Sequence, residues 1–211
     1  MNKGRLKKSV VDYGLTITVA ISIALLVRGF FFESYRIPSE VMIPTLLPGD
    51  FILAKRLDST ASIRRGDIVV YSPPSDIHKT YIKRIVGLPG DRIRVHEGLV
   101  QKNKEEVEFI PSPQRLTGPE CGKELHADQV YQICRSQPPI HDEYDKIIPE
   151  NSFFLIGDHR GEEVSSSQWD VAPRSSLKSK VNLIWFSIHP SIGNDQSLVE
   201  RIRWNRLFKK P

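Results

Sequence analysis

The chain has 211 residues, of which 39% are hydrophobic and 26% charged, and its formal net charge is +5. These proportions are close to those of globular domains, so they exclude wholesale disorder and allow one compact domain with an insertion. The basic residues are concentrated at the two ends without a nucleic-acid readout motif, so the pattern fits a membrane surface better than a nucleic-acid groove.

The first predicted element is a membrane anchor over residues 13–32. A basic stretch, residues 1–12, precedes an uncharged run that ends at Val27, and aromatic residues follow Arg28. A spanning helix needs about 20 residues, and the long Arg28 side chain can extend its charge to the lipid headgroups. No small-residue cleavage site follows, so we expect an uncleaved anchor. The charge bias predicts residues 1–12 in the cytoplasm and the rest of the chain on the opposite side.

The chain beyond the anchor is predicted to be mainly β. Short segments rich in branched and aromatic residues are bounded by Gly, Pro or Asp, as strands are. Examples are DFILAKRL, GDIVVYSP, YIKRIVGL, SFFLIGD and VNLIWFSI. Residues 102–149 are more charged and richer in proline, which indicates a loop-rich β insertion. We therefore predict a β core made of residues 33–101 and 150–211, interrupted by that insertion.

Cys121 and Cys134, the two cysteines of the chain, both lie in the predicted insertion. In an oxidising compartment, a pair across a short loop is typical of a disulfide, although two free thiols are the alternative. None of the six histidines has the spacing of a zinc site with these cysteines. We therefore assign no metal and no cofactor.

Four sequence blocks resemble, in order, those of the bacterial type I signal peptidases. IPSEVMIPTL, residues 37–46, is similar to the nucleophile segment I-P-S-x-S-M-x-P-T-L of that family, and YIKRIVGLPGD, residues 81–91, is similar to its lysine segment. RGDIVVY, residues 65–71, resembles the intervening strand, and residues 157–173 align loosely with G-D-N-R-D-N-S-x-D-S-R. The resemblance covers essentially the whole chain and implies a signal-peptidase-like β-sheet core.

The resemblance also implies residue roles. It makes Lys83 the general base of a serine/lysine dyad, which requires that burial of the amine lower its pKa. It makes Ser39 a hydroxyl that stabilises the oxyanion and Ser166 the serine that positions the lysine. Shallow pockets would accept the small side chains of an extended Ala-x-Ala peptide paired to a strand edge. The residues that match these pockets are Ile37, Pro38, Met42, Leu46, Tyr81 and Ile82.

The nucleophile position departs from the family pattern. Val41 stands where the pattern has its second serine, and valine has neither a hydroxyl nor a thiol. In subtilisin, loss of the nucleophile costs about a millionfold in rate. The fourth block departs as well, because Gly161, Ser165 and Ser167 replace acidic and arginine residues that brace the site of the family, and His159 replaces an asparagine.

Three functional hypotheses follow. The favoured one is a non-cleaving homologue that keeps a groove for exported signal peptides and assists another peptidase or an assembly machine. The second is an active signal peptidase, a serine endopeptidase in which Ser39 or an altered register supplies the hydroxyl. The third is that Val41 is an artefact of engineering or sequencing. All three place the chain in the bacterial cytoplasmic membrane as a single-pass protein with a periplasmic domain, with lipid and exported preproteins as partners and no nucleic acid.

Two smaller expectations concern charged residues. The basic, aromatic tail over residues 201–210 lies either on the anionic membrane face or in solvent as a strand end. Asp67, Asp91 and Asp158 each follow a glycine, and we expect their carboxylates to cap backbone amides at turns.

Overall fold

A computed structural model describes residues 13–22, 29–105, 107–113, 119–126, 129–135, 144–160, 169–190 and 198–211. The chain divides into two compact units, Met1–Glu33 and Ser34–Pro211. In the first unit, residues 13–22 and 29–31 are helical. Within the described ranges, we find no helix with the length and apolar character needed to cross a bilayer. Residues 1–12 and 23–28 of the predicted N-terminus and anchor lie outside those ranges.

Three β-sheets make up the described fold, so the predicted mainly β class is confirmed. The large sheet has seven strands in the order β1-β2-β14-β3-β4-β11-β13, and two smaller sheets have the orders β10-β5-β6 and β12-β9-β8-β7. The strands are β1 (Phe32–Arg36), β2 (Asp50–Arg56), β3 (Ile68–Tyr71), β4 (Tyr81–Gly87), β5 (Arg92–His96), β6 (Leu99–Lys102), β7 (Glu108–Pro111), β8 (Glu120–Leu125), β9 (Val130–Arg135), β10 (Tyr144–Ile147), β11 (Ser152–Ile156), β12 (His159–Arg160), β13 (Trp169–Pro173) and β14 (Leu177–Ser187). A short helical segment, Arg174–Ser176, lies between β13 and β14, and two more follow β14 at Leu198–Arg201 and Trp204–Arg206.

The centre of the large sheet is covered on both faces. All four residues of β3 are buried, as its continuous apolar run predicts for a strand without a wet face. Ile68 and Val70 pack in one apolar cluster with Met42, whereas Val69 and Tyr71 pack in a second cluster. Because successive side chains of a strand point to opposite faces, the two clusters lie on opposite sides of the sheet.

Residues 102–149 contribute β7, β8, β9 and β10 to the two smaller sheets. Cys121 lies directly opposite Cys134 in the antiparallel pairing of β8 with β9, and the two form a disulfide. The predicted bridge is therefore confirmed, and the free-thiol alternative is wrong.

The C-terminal segment packs back onto the core through its arginines. Arg206 is buried and binds both carboxylate oxygens of Asp50, with Nε–Oδ1 at 3.0 Å and Nη2–Oδ2 at 2.5 Å. Arg203 donates to the Pro48 carbonyl at 3.0 Å. For these two arginines, both predicted locations, the membrane face and bulk solvent, are wrong, because their charged groups bind partners within the protein. Trp204 and Phe208 are exposed.

Candidate active site

The segment from Ile37 to Asp50 is a compact turn closed at its base. The Ile37 N–H donates to the Asp50 carbonyl, and the Gly49 N–H donates to the Ile37 carbonyl, both at 2.8 Å. The buried Asp50 carboxylate also accepts hydrogen bonds from the Leu47 N–H at 2.8 Å and the Ser187 hydroxyl at 2.6 Å. Because Asp50 is fully buried and Arg206 neutralises it, its carboxylate can hold the turn in one shape.

Val41 lies on this turn in contact with Gly157. A Cβ atom built on Gly157 would lie 2.7 Å from the Val41 carbonyl oxygen and 2.8 Å from its Cγ1. The His159 N–H donates to the same carbonyl at 3.0 Å. A side chain at position 157 would therefore push the turn away, and glycine permits the close approach. The turn is thus held against the chain that leaves β11 and enters β12.

Lys83 lies on β4 at the same level as Gly157. Arg84 is paired with Ile156 in the antiparallel register of β4 and β11. Continuing that register by one residue brings Lys83 level with Gly157, since antiparallel partners move in opposite directions along the chain. Gly157 contacts Val41, so the strand pairing and the turn bring Lys83 and Val41 to the same part of the molecule.

Burial dominates the electrostatics of Lys83. Its exposed fraction is 2%, and desolvation lowers its pKa to about 8, against the attraction of the Asp170 carboxylate, which raises it. Asp170 accepts a hydrogen bond from the Tyr71 hydroxyl at 3.0 Å. Burial, followed by the charge of Asp170, raises the pKa of Tyr71 above its usual range, so this hydroxyl stays protonated and remains a donor. A lysine whose pKa lies near neutrality can accept a proton, as a general base must.

A second charged group fixes the turn from the other face of β4. Arg84 binds Asp158 in a bidentate pair, with Nε–Oδ1 at 2.8 Å and Nη2–Oδ2 at 2.7 Å. The hydroxyl of Thr45, on the turn, donates to the same carboxylate at 2.5 Å. Because Thr45 follows Val41 by four residues, this pair ties β4 to the segment that carries Val41.

The expected role of the three turn aspartates is correct for two of them. Asp67 accepts the Arg64 N–H at 2.8 Å, and Asp91 accepts the Leu88 N–H at 2.7 Å. The prediction is wrong for Asp158, which is fully buried and is instead bound by an arginine from β4. A glycine before an aspartate indicates a turn, but it carries no information about a cation 74 residues away.

The other predicted site residues fall into three groups. Ile37, Met42 and Leu46 are core residues, and Ile82 is partly buried against their cluster. The exposed members are Pro38, Ser39 and Tyr81. Ser166 lies outside the described residues, as do Gly161, Ser165 and Ser167. The roles that the family resemblance assigns to all of these residues stay predictions.

The first half of β4 has a backbone edge that β11 does not cover. The pairing of β11 involves Arg84, Ile85 and Gly87 of β4. Among the described residues, Tyr81, Ile82 and Lys83 take part in strand pairing through β3. A strand edge of this kind can receive an extended peptide through main-chain hydrogen bonds.

Sequence reasoning missed Asp170. This carboxylate follows Trp169 in the short strand β13, where its neighbours are otherwise apolar. A charged residue inside an apolar strand is itself a signal of a buried partner, because burying a lone charge is costly. That signal could have identified Asp170 as part of a site, although it could not have named Lys83 as the neighbour.

The chain is similar to known proteins over most of its length. The family model described as signal peptidase, peptidase S26, matches residues 10–186. Signal peptidase I of Pseudomonas aeruginosa is 30% identical over 211 residues, covering 84% of this chain and 72% of its own. Signal peptidase I of Buchnera aphidicola subsp. Acyrthosiphon pisum is 28% identical over 265 residues, covering 98% and 82%. The probable signal peptidase I-2 of Synechocystis sp. is 28% identical over 189 residues, covering 87% and 76%.

Proposed function

Because the chain belongs to the signal peptidase family, peptidase S26, we propose that it is a membrane-anchored homologue that binds exported signal peptides and does not cleave them. The observation that carries the proposal is the valine at position 41, on the turn that contacts Gly157. Acyl transfer by a serine peptidase begins with attack by a hydroxyl oxygen, and valine has none to offer.

The turn and the neighbouring strand edge support the proposal that the chain binds a peptide. The turn is closed by Asp50 and Arg206, and the Arg84–Asp158 pair fixes its far side. The edge of β4 at Tyr81 and Ile82, beyond the residues that β11 pairs, would pair with an extended chain, and the partly buried Ile82 would supply part of an apolar pocket. Binding by this mode depends on backbone hydrogen bonds and pocket shape, neither of which requires a nucleophile.

The geometry disfavours the alternative in which Ser39 serves as nucleophile. Ser39 is exposed and lies two residues before Val41, whose carbonyl is fixed by His159. Side chains two residues apart in a turn do not reach the same point, so Ser39 would need a different register to take the position of the missing hydroxyl. The hydrogen bonds at the base of the turn oppose such a change.

The proposed placement rests on the sequence of the N-terminus. The basic residues of 1–12 and the apolar run after them favour an uncleaved anchor, with residues from 33 onward on the periplasmic side. The disulfide between Cys121 and Cys134 fits an oxidising compartment. Exported preproteins would be the ligands there, and another peptidase or an assembly machine would be the partner that acts on the bound peptide.

The test uses the detergent-solubilised full chain and a preprotein with an Ala-x-Ala site. Cleavage is measured for the natural chain, Val41→Ser, Val41→Ser with Lys83→Ala, and Val41→Ala as the matched control without a hydroxyl. Of these four chains, we expect only Val41→Ser to cleave. Its rate should exceed that of the natural chain about a millionfold if the effect of removing the subtilisin nucleophile applies here. We also expect the natural chain to bind the signal peptide in a fluorescence anisotropy assay. Cleavage by the natural chain would overturn the proposal, and so would failure to bind.

A further inference from the structure

Asp170 and Lys83 lie on the same face of the large sheet. Asp170 is opposite Leu155, and Leu155 is opposite Ile85 of β4. Ile85 and Leu155 both belong to the apolar cluster that also contains Val69. Lys83 is two residues from Ile85 and is opposite Val69, so its side chain leaves β4 on the face that this cluster covers.

Tyr71 connects this face to the Asp170 carboxylate. Tyr71 is on β3, and Asp170 is on β13, three strands further along the sheet order. The Tyr71 hydroxyl nevertheless donates to Asp170 at 3.0 Å, and 1% of Tyr71 is exposed. Its side chain therefore extends over β4 and β11, on the face where Lys83 lies. The hydrogen bond fixes the carboxylate toward the centre of the sheet instead of its edge.

We propose that Asp170, oriented by Tyr71, is the positioning residue that holds the Lys83 amine in the site. A carboxylate held on the buried face attracts the ammonium group and limits the positions that the flexible lysine stem can take. The family resemblance gives this role to Ser166, so the proposal assigns it to a different residue and a different chemical group. The inference rests on the proposed role of Lys83 as the base of the site.

The charge state of Lys83 follows from the groups that face it. Asp170 from β13, Tyr71 from β3 and Tyr81 from β4 itself are on this face, whereas Arg84 points to the opposite face and pairs with Asp158. Desolvation lowers the pKa of Lys83, and Asp170 holds it at about 8. At pH 7 the amine is therefore mainly protonated, and it becomes an effective base only in mildly alkaline solution.

The first experiment measures the side-chain titration of Lys83 by NMR in the full-length natural chain. We expect the midpoint of Asp170→Asn to move to lower pH, because the ammonium loses its anionic neighbour. Asp170→Glu keeps the charge and should restore the midpoint. Asp145→Asn is the matched control, since Asp145 is bound by Arg92 and Arg94 in another sheet, and its titration should equal that of the natural chain. An unchanged midpoint in Asp170→Asn would overturn the proposal.

Two further measurements protect the test against a folding defect and against an inert site. If Asp170→Asn does not fold, the same titration is measured in Tyr71→Phe. Loss of the Tyr71 hydroxyl releases the Asp170 carboxylate, so the midpoint of the Lys83 titration should again move to lower pH. An unchanged midpoint in Tyr71→Phe contradicts the proposal. In the Val41→Ser background, Asp170→Asn should shift the acidic limb of the kcat/KM profile to lower pH. A merely structural Asp170 would reduce the rate and leave the limb in place. Because the titration needs no cleavage, it tests this inference even if the Val41→Ser chain is inert, whereas the proposed function is overturned by cleavage by the natural chain or by its failure to bind a signal peptide.

Discussion

Two of the buried charged sites in the protein differ in how completely their charge is neutralised. In the two smaller sheets, Arg160 binds Glu124 with Nη1–Oε1 at 2.7 Å and Nη2–Oε2 at 2.8 Å, and both side chains are fully buried. The Val100 N–H also donates to Glu124, and Arg160 also donates to the Gly98 carbonyl. In the large sheet, the Lys83 amine lies near a carboxylate that is itself bound by Tyr71.

This difference separates a structural ion pair from a titratable site. Burial alone would raise the pKa of Glu124, but the charge of Arg160 and the hydrogen bonds it accepts lower it to about 2, so the pair keeps its charge at any physiological pH. Burial is the larger effect at Lys83 and leaves its pKa at about 8. Groups that titrate near neutrality in a buried position are typical of functional sites, whereas complete networks are typical of structural ones.

The largest expected effect comes from breaking the complete network. Glu124→Gln leaves Arg160 buried without its counter-charge, which should lower the free energy of unfolding by about 3–5 kcal/mol. Urea unfolding of the two chains measures this difference. Glu120→Gln is the matched control, because Glu120 pairs with the partly exposed Arg135, and its loss should cost less than about 1 kcal/mol. Equal losses for the two variants would show that burial does not distinguish these pairs.

The second prediction concerns the pH dependence of stability that Lys83 contributes. The unfolded chain binds the proton with a pKa of 10.5 and the folded chain with a pKa of about 8, so the unfolded state holds more protons between these values. Between these pKa values the free energy of unfolding of the natural chain should therefore rise with pH relative to that of Lys83→Met, by up to about 3 kcal/mol. Below about pH 8 the cost of burying the Lys83 amine should not change with pH. The raised pKa of Tyr71 affects both chains and cancels in the difference. Urea unfolding of the natural chain and Lys83→Met at pH 7, 8.5 and 9.5 measures this difference in stability. A difference that stays the same at all three pH values would contradict the prediction.

The fold could be predicted wherever the signal is local. The buried strand β3 is a continuous run of branched and aromatic residues, and Lys83 lies between Ile82 and Arg84 in a strand that is otherwise mostly apolar, which is compatible with its burial. The cysteine pair predicts its own disulfide because a short sequence separation limits the alternatives. In these cases the residues that form the contact, or their immediate neighbours, carry the pattern.

The long-range charge partners could not be predicted. Asp50 pairs with Arg206, 156 residues away, and Arg84 pairs with Asp158, 74 residues away. Strand alternation predicts which face a residue occupies, but the pairing of oppositely charged residues depends on sheet order, which composition and periodicity do not determine. The same limit explains why Asp170 was missed, since it reaches the Lys83 face only through the register of β11 and the length of the Tyr71 side chain.

The smallest of the three expected effects comes from substitution of Gly157, which is adjacent to both the Lys83 site and Arg160. Gly157 is level with Lys83 in the strand register, and its carbonyl accepts from Arg160 Nε at 3.4 Å. Gly157→Ala should lower the free energy of unfolding by about 1–3 kcal/mol, because the new methyl group would overlap both the carbonyl oxygen and Cγ1 of Val41. Combining it with Val41→Ala removes the side-chain overlap and leaves the carbonyl overlap, so the double variant should recover only part of the loss. Full recovery would mean that the Val41 side chain alone sets the position of the turn. No recovery would mean that the backbone sets the position of the turn.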